Sequence, residues 1–287
     1  MNTPLITIIC LCHNHDRFVL EALESVAAQT YTNIQLIIVD DASTDRSKQI
    51  IADYITRRPT HFISHDTNMG NCKAFNSGLA HARGELVMDF SADDVLPPNR
   101  VELGVQEFEK RDSSFGVQFG DAMIIDEGGK FLSYHSDDFP PSTISQGDVY
   151  EALIRRYFVN GPTTMVRKRV FDDLGGYDES LSYEDFDFWI RSSRQYSYFY
   201  TPEVLVKRRL VRGALHEKQF SRMSPHARTT LAVCRKIMTL NRTRAEKAAL
   251  TSRIHYEIRQ CIRRREVKLA WEYLLLLREN RAKSYNF

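Results

Sequence analysis

Short apolar runs alternate with segments of helical period along the first 125 residues. Ile6-Thr7-Ile8-Ile9-Cys10-Leu11 reads as a buried strand. Phe18, Val19, Ala22, Leu23 and Val26 then recur on one helical face, with Asp16 placed to cap that helix. Leu36-Ile37-Ile38-Val39 predicts a second strand ending at Asp40-Asp41. Ser43 or Thr44 is placed to cap the next helix, which carries Ile50, Ile51, Tyr54 and Ile55. Phe62-Ile63-Ser64 predicts a third strand, and Leu86-Val87-Met88 opens a fourth that runs into Ser91-Ala92-Asp93-Asp94. Pro97-Pro98 suits the first turn of a following helix. Such alternation with short links predicts an α/β fold: a mostly parallel sheet covered by helices on both faces.

The pattern changes after that. Gly116-Val117-Gln118-Phe119 and Ala122-Met123-Ile124-Ile125 read as two strands, and Phe131-Leu132-Ser133-Tyr134 as a return strand after a turn at 127–130. Residues 135–147, rich in Ser, Asp and Pro, predict a loop. Residues 151–200 predict a helix, an apolar patch at Thr164-Met165-Val166, and a helix near 183–195. Beyond about 222 the pattern is helical throughout. The predicted organisation is a 1–221 domain, with a nucleotide-binding half at 1–125 and an acceptor-side half at 126–221, followed by a helical extension at 222–287.

Composition narrows the classes. The chain has 287 residues, 43% hydrophobic and 26% charged, ordinary for a folded globular protein. No apolar run reaches the roughly 18–20 residues of a membrane span. No basic-then-apolar leader opens the sequence, and five scattered cysteines fit reduced thiols. A cytoplasmic location is therefore expected. Charge is divided unevenly. Residues 201–287 hold 21 basic and 7 acidic side chains, a net of +14; residues 1–200 hold 18 and 30, a net of −12. An acidic half suits cation binding or acid–base chemistry, and a basic half suits phosphates.

Ligands of open parallel sheets bind outside the carboxyl ends of the strands. Asp40-Asp41 and Asp93-Asp94 both lie at such ends. Hard carboxylate oxygens without a Cys/His cage suit Mg²⁺ or Mn²⁺ shared with substrate phosphates. The alternative is that these acids only begin turns and cap helices. Cys10 and Cys12 fall on one face of a buried strand and read as packing, and Lys73 reads as a solvated lysine.

Several motifs, in order, resemble family 2 glycosyltransferases. They are Ile6-Thr7-Ile8-Ile9 with His13-Asn14, Ser25 to Tyr31, and Val39-Asp40-Asp41-Ala42-Ser43-Thr44-Asp45. Asn68-Met69-Gly70, Asn76-Ser77-Gly78 and Ala82-Arg83-Gly84-Glu85 continue the series. Gly175-Gly176-Tyr177-Asp178-Glu179, Glu184-Asp185 and Arg191 resemble the acceptor-side signature. The resemblance covers roughly residues 4–195. It implies a GT-A fold and an inverting transfer of a hexosyl-type sugar from a nucleotide-sugar donor, in synthesis of a surface polysaccharide or glycoconjugate. The acceptor would be a glycan or a lipid-linked acceptor.

The resemblance also distributes roles. Asp93 takes the last position of the D-x-D element, as metal ligand for Mn²⁺ or Mg²⁺. Ser91 stands at the first position, where it can bond a ribose or a metal-bound water but supplies no charge. Asp41 matches the acceptor for a uracil imide, so UDP is the expected nucleotide, with Leu11 and Asn14 lining the base pocket. Asp40, Asp94 and Glu184 support these groups. Asp185 matches the general base that takes the acceptor hydroxyl proton; Ser182-Tyr183-Glu184-Asp185 also reads as a helix capping box. Arg191 is placed to steer Asp185 or a phosphate.

Two family features are missing. Phe75 stands where an arginine often precedes Asn76, and residues 206–213 offer no histidine after the last strand. His216 is the nearest substitute; alternatively Arg208, Arg209 or Arg212 balances the diphosphate directly. These departures leave an alternative function, a nucleotide-binding scaffold that has lost activity. A nucleotidyltransferase or a dinucleotide oxidoreductase is excluded by the lack of a glycine-rich phosphate loop after the first strand.

In the tail, Ile254, Ile258, Cys261 and Ile262 form one apolar face among Arg259, Arg263, Arg264 and Arg265, and Leu269, Tyr273, Leu274, Leu276 and Leu277 form another. The tail either packs on the catalytic domain or a second copy, or attaches peripherally to an anionic membrane surface. No nucleic acid partner is expected, since aromatic stacking platforms are absent from the basic stretch.

Overall fold

Alternation along the first strand sets the layering. The structure, a computed structural model, describes residues 3–211 and 225–282. In β1 (Ile6–Cys12), Ile6, Ile8, Cys10 and Cys12 project to one face and Ile9 and Leu11 to the other, and all are buried. The first face packs against α1 (Val19–Ala27), α2 (Ser47–Arg57) and α4 (Arg100–Glu109). The second packs against α3 (Asn71–Leu79), α6 (Lys168–Leu174) and α7 (Asp185–Ser192). Cys10 and Cys12 are thus core residues, as read from their spacing.

The sheet has eight strands. β3 (His61–Ser64), β2 (Ile34–Asp40), β1 and β4 (Leu86–Ser91) are parallel neighbours in that order. β7 (Met165–Arg167) joins β4 antiparallel and leads to β5 (Phe115–Ile125). β6 (Phe131–Tyr134) pairs antiparallel with the far end of β5, and β8 (Ser197–Arg209) pairs parallel with β5 along its length. The two strands expected at 116–119 and 122–125 are one strand. Its register against β8 shifts at Gly120/Asp121 and again at Asp121/Ala122, so the polar break is a bulge and not a turn.

Several expected caps do not form. The helix after β1 has no side-chain cap, nor does α2. Asp16, Ser43 and Thr44 instead join the loop after β1 to the loop after β2: Asn14 N donates to Ser43 Oγ (2.9 Å) and Thr44 N donates to Asn14 Oδ1 (2.7 Å), and Arg46 reaches Asp16 at 3.5 Å. The loops need each other's donors more than the helices need caps, because both lie at the same edge of the sheet. The Ser182–Asp185 capping box is also absent: Ser182 bonds Thr229, and no side chain caps α7.

After the described residues resume, α8 (Pro225–Leu240), α9 (Arg244–Arg263) and α10 (Val267–Ala282) follow. α9 opens with a capping box of Thr243 and Glu246. The expected boundary at 221/222 lies outside the described residues, but the core on either side is continuous. Val233, Cys234, Ile237, Leu250, Ile254 and Tyr273 share one hydrophobic cluster with Tyr150, Phe158, Phe186 and Trp189. α5 (Tyr150–Arg155) meets the tail through Tyr150 Oη, which donates to Asn241 Oδ1 at 2.9 Å. Arg194 pairs with Glu246 at 3.0 Å, and the Arg253 guanidinium lies over the rings of Tyr157 (4.2 Å) and Phe186 (4.7 Å). No helix among the described residues is long and apolar enough to cross a membrane.

Candidate functional site

The register of the parallel strands gathers three chain segments at one edge. Leu11 pairs with Val39 on one side and with Ser91 on the other, and Cys12 pairs with Asp40. Residues 13–16, 40–45 and 91–94 therefore emerge together at the carboxyl ends of β1, β2 and β4, where a parallel sheet offers a crevice.

Asp41 is the hub of the first part. It is 5% exposed. Its Oδ1 accepts from His65 Nδ1 (2.8 Å) and Met69 N (2.8 Å), and its Oδ2 accepts from Gly70 N (2.9 Å). The carboxylate thus fastens the loop after β3, and Oδ2, with one partner, retains acceptor capacity. Gly70 sits at φ +83°, the left-handed region that glycine enters without strain. His13 Nδ1 lies 2.7 Å from the Asp41 carbonyl oxygen, so Nδ1 carries the proton and Nε2 accepts from Asn68 Nδ2 at 3.0 Å. Asn14 adopts φ 60° and Ala42 φ 59°; for alanine this is an uncommon, strained conformation of the kind found beside ligand sites. Leu11 packs in the core beside Val39. Asp40 is fully buried, accepts from Ser43 N at 3.1 Å through Oδ1, and has no hydrogen-bond partner for Oδ2 among the described residues. It shapes the turn and does not face the crevice.

The β4 end supplies the second part. Ser91 Oγ donates to Asp93 Oδ1 at 2.5 Å. His15 Nε2 stands 3.9 Å from Asp93 Oδ2, and its Nδ1 is buried without a partner among the described residues. Among the described residues no cluster of three or more His, Cys, Asp or Glu side chains is set to hold a metal ion. Asp93 and Ser91 offer hard oxygen donors, and His15 a borderline nitrogen beside them. That set fits a cation that takes its remaining ligands from a bound diphosphate. Asp94, 3% exposed, accepts from Arg209 N at 2.8 Å. Burial pushes its carboxyl well up, Asp93 adds to this, and the Arg209 amide opposes it.

Arg209 does not face the crevice as expected. Its side chain pairs with Glu21 at 2.6 Å and donates to the carbonyls of Asp93 (2.9 Å), Asp126 (3.3 Å) and Glu127 (3.1 Å). A guanidinium so occupied is a strut between the β4 loop, the 126–127 turn and α1. Arg212 and His216 lie outside the described residues. Arg208, one residue earlier on β8, projects oppositely. It lines a cavity of about 280 Å³ with Asp185, Glu184, Tyr157, Tyr183 and Trp189. Among the described residues its guanidinium has no hydrogen bond or ion pair, and its charge acts on both Asp94 and Asp185. It therefore lies between the β4 acids and the acids of α7.

Asp185 begins α7 and has no hydrogen-bond partner among the described residues. Its carboxyl is raised to about 8, first by burial and then by Glu184, with Arg208 opposing. Glu184 is raised as well, by burial, against a hydrogen bond from Asn71. Gly161 leaves the room that Asp185 occupies: a Cβ there would fall 2.6 Å from its Oδ1. Arg191 does not reach Asp185. Its Nε donates to Asp187 Oδ2 at 2.6 Å and its other nitrogens donate to the carbonyls of Leu174 and Gly176, both at 3.0 Å. It secures the turn before α7. Lys236 of α8 holds the same Asp187 at 2.6 Å and Asp178 at 2.5 Å, and Tyr183 Oη lies 2.7 Å from Thr230 Oγ1. The tail thus braces the start of α7 and the cavity wall.

Asp89 escaped the sequence reading. It sits in β4, accepts from Tyr177 Oη at 3.1 Å, and burial followed by the charge of Glu184 holds its carboxyl well above the usual range. An acid inside the run Leu86-Val87-Met88-Asp89-Phe90 is out of place in a buried strand, and that was its signal.

Comparison with known proteins decides the family. The model of the family described as "Glycosyl transferase family 2" matches residues 7–175. The chain belongs to glycosyl transferase family 2. An uncharacterized glycosyltransferase of Rickettsia typhi is 29% identical over 209 residues, 72% of this chain and 64% of the relative; the chain thus spans less than two thirds of that relative's length. In fold, the family 2 chain resembles S. aureus TarS 1–349 in complex with UDP-GlcNAc, with a TM-score of 0.69 at 18% identity over 87% of this chain and 71% of the other. It also resembles the mannosyltransferase PcManGT of Pyrobaculum calidifontis in complex with GDP-Man and Mn²⁺, with a TM-score of 0.63 at 16% identity over 99% and 84% of the two chains. The mixed sheet flanked by helices is the GT-A arrangement that the motifs implied, with a helical C-terminal region.

Proposed function

We propose that the chain transfers a sugar, with inversion, from a UDP-sugar to a hydroxyl of a glycan or lipid-linked acceptor in surface polysaccharide or glycoconjugate synthesis. One observation carries the reading. A carboxylate with no hydrogen-bond partner among the described residues, Asp185, opens on a cavity next to the crevice that gathers Asp41, Asn14, Ser91 and Asp93. In this reading Asp41 Oδ2 accepts from the uracil imide. Asp185 takes the acceptor hydroxyl proton as the oxygen attacks the anomeric carbon. The bond from that carbon to the β-phosphate oxygen breaks, and UDP leaves with the electron pair. Asp93 would hold Mn²⁺ or Mg²⁺ with Ser91 and His15 beside it, and the cation would neutralise charge developing on the diphosphate. Arg208, rather than Arg209, supplies protein charge to the same group. Residues 1–125 serve as the donor half, 126–221 as the acceptor half, and 222–287 as the support of the acceptor wall. In this reading the reaction runs on the cytoplasmic side.

Support comes from the family membership and from the fold shared with proteins bound to UDP-GlcNAc and GDP-Man. The test is a panel of UDP-sugars incubated with the purified protein and Mn²⁺, with UDP release followed by chromatography. Release from one donor that stops in Asp185→Asn supports the reading. UDP binding with no release from any donor, with or without added glycans, favours the inactive scaffold.

A further inference from the structure

Helix α10 is apolar on two opposite faces, and only one of them is buried. Leu269, Tyr273, Leu276 and Leu277 pack in the core. Val267, Trp271, Leu274 and Leu275 point the other way and are exposed by 79%, 62%, 44% and 43%. Their spacing confines them to one outward strip of the helix. Ile262, 65% exposed at the preceding turn, extends the strip toward α9. The tail faces first read as amphipathic are mostly used internally: Ile254, Cys261, Leu269, Tyr273, Leu276 and Leu277 are all buried. The outward strip is a separate feature, and a helix apolar all round is normally covered on every side.

The surroundings of the strip indicate what covers it. Arg259, Arg263, Arg265, Lys268, Arg278 and Arg281 are exposed around it, and none forms an ion pair among the described residues. Arg278 lies within the strip itself. Of the acids on this helix, Glu272 faces α8, where Arg228 and Arg235 approach it at 3.6 and 3.9 Å, and Glu279 is exposed beside the strip, one acid against the six cations. A second copy docked symmetrically through this face would set the basic rim against itself. A bilayer with anionic headgroups satisfies both parts at once. Apolar side chains enter the headgroup boundary, cations meet the phosphates, and tryptophan prefers that interface.

We propose that the outward face of α10, with the α9–α10 turn, is a docking surface for an anionic lipid bilayer. The inference uses no donor-site residue and stands independently of the donor assignment. Removing the tail cannot test it, because the helices supply core to the rest of the chain; the test uses the full chain with exposed residues changed. Trp189 is 5% exposed and Trp271 62% exposed, so Trp271 dominates any change in tryptophan environment. Full-length protein is sedimented with phosphatidylcholine vesicles and with vesicles containing one third phosphatidylglycerol, and tryptophan emission is recorded on both. The expected result is binding to the anionic vesicles at least tenfold stronger than to neutral ones, with a blue shift. Each of Arg263→Gln, Arg265→Gln and Lys268→Gln should weaken binding about fivefold. Trp271→Glu with Leu275→Glu should reduce it at least tenfold with unchanged circular dichroism. No binding of the folded protein to anionic vesicles overturns the proposal. So does binding that survives Trp271→Glu with Leu275→Glu. So does a dimer in light scattering that the same double variant converts to monomer, since a second copy then covers the strip.

Discussion

Replacing Asp185 by Asn should stabilise the protein, and the gain should grow with pH. The Asp185 carboxyl moves from 3.8 to about 8 on folding, chiefly through burial and secondarily through Glu184. Its folded pKa lies above the unfolded one, so between those values the unfolded chain has released the proton and the folded chain retains it. The unfolded state then binds fewer protons, and stability falls as pH rises across that window. For one such group the slope approaches about 1.4 kcal/mol per pH unit, and crossing the whole interval costs about 6 kcal/mol. The carboxylate opens on a cavity, so solvent access lowers the realised total to roughly 2–3 kcal/mol. Asn keeps the shape and never ionises. Urea unfolding of both proteins at pH 5, 6, 7 and 8 reads the difference directly. The variant should lead by more at each step, with a total increase of at least about 1 kcal/mol. A lead that stays flat from pH 5 to 8 would mean that Asp185 carries no folding-dependent proton. The same variant should lose sugar transfer, the pairing of stability gained with activity lost that marks a working site.

Other outcomes follow from the same geometry. Sugar transfer at low substrate should fall about tenfold per pH unit below the Asp185 pKa, and Glu184→Gln should move that limb to lower pH by removing a neighbouring negative charge; a limb unmoved in the variant contradicts the coupling. Gly161→Ala would place a methyl 2.6 Å from Asp185 Oδ1; transfer should drop at least tenfold while UDP affinity, by calorimetry, stays within twofold. Arg209→Met should lower stability by about 2–3 kcal/mol, since buried carbonyls and Glu21 lose a charged donor. Arg208→Gln should leave the melting temperature within about 2 °C and weaken UDP binding in EDTA about tenfold, with uridine binding unchanged; equal weakening of uridine would remove Arg208 from the diphosphate.

The parallel half of the sheet was legible because β1, β2 and β4 are short apolar runs, with acids marking the ends of β2 and β4. β8 was not: Pro202, Glu203 and Lys207-Arg208-Arg209 give it a polar look. It holds its place by pairing along β5 and by the bridge of Lys207 to Val95. Family spacing located Asp41, Asp93 and Asp185 at the converging edges. It did not separate Arg208 from Arg209, because successive residues of a strand face opposite ways and only the sheet's surroundings decide which side is the crevice. Arg191 had the spacing of a helper to Asp185, yet Asp187, one turn before it on α7, takes its charge. Nor did sequence show that the tail carries core, since an amphipathic helix has the same pattern whether protein or lipid lies against it.

In the proposed function, the β1, β2 and β4 ends form a site for a uridine diphosphate, with Asp93 as its charged metal ligand. The most direct measurement is calorimetric titration of UDP into the full chain with Mn²⁺, with Mg²⁺ and with EDTA, repeated on Asp93→Ala. UDP binding should be strengthened by the divalent cation, with that strengthening lost in Asp93→Ala. Absence of UDP binding by the folded protein under all three conditions would contradict it.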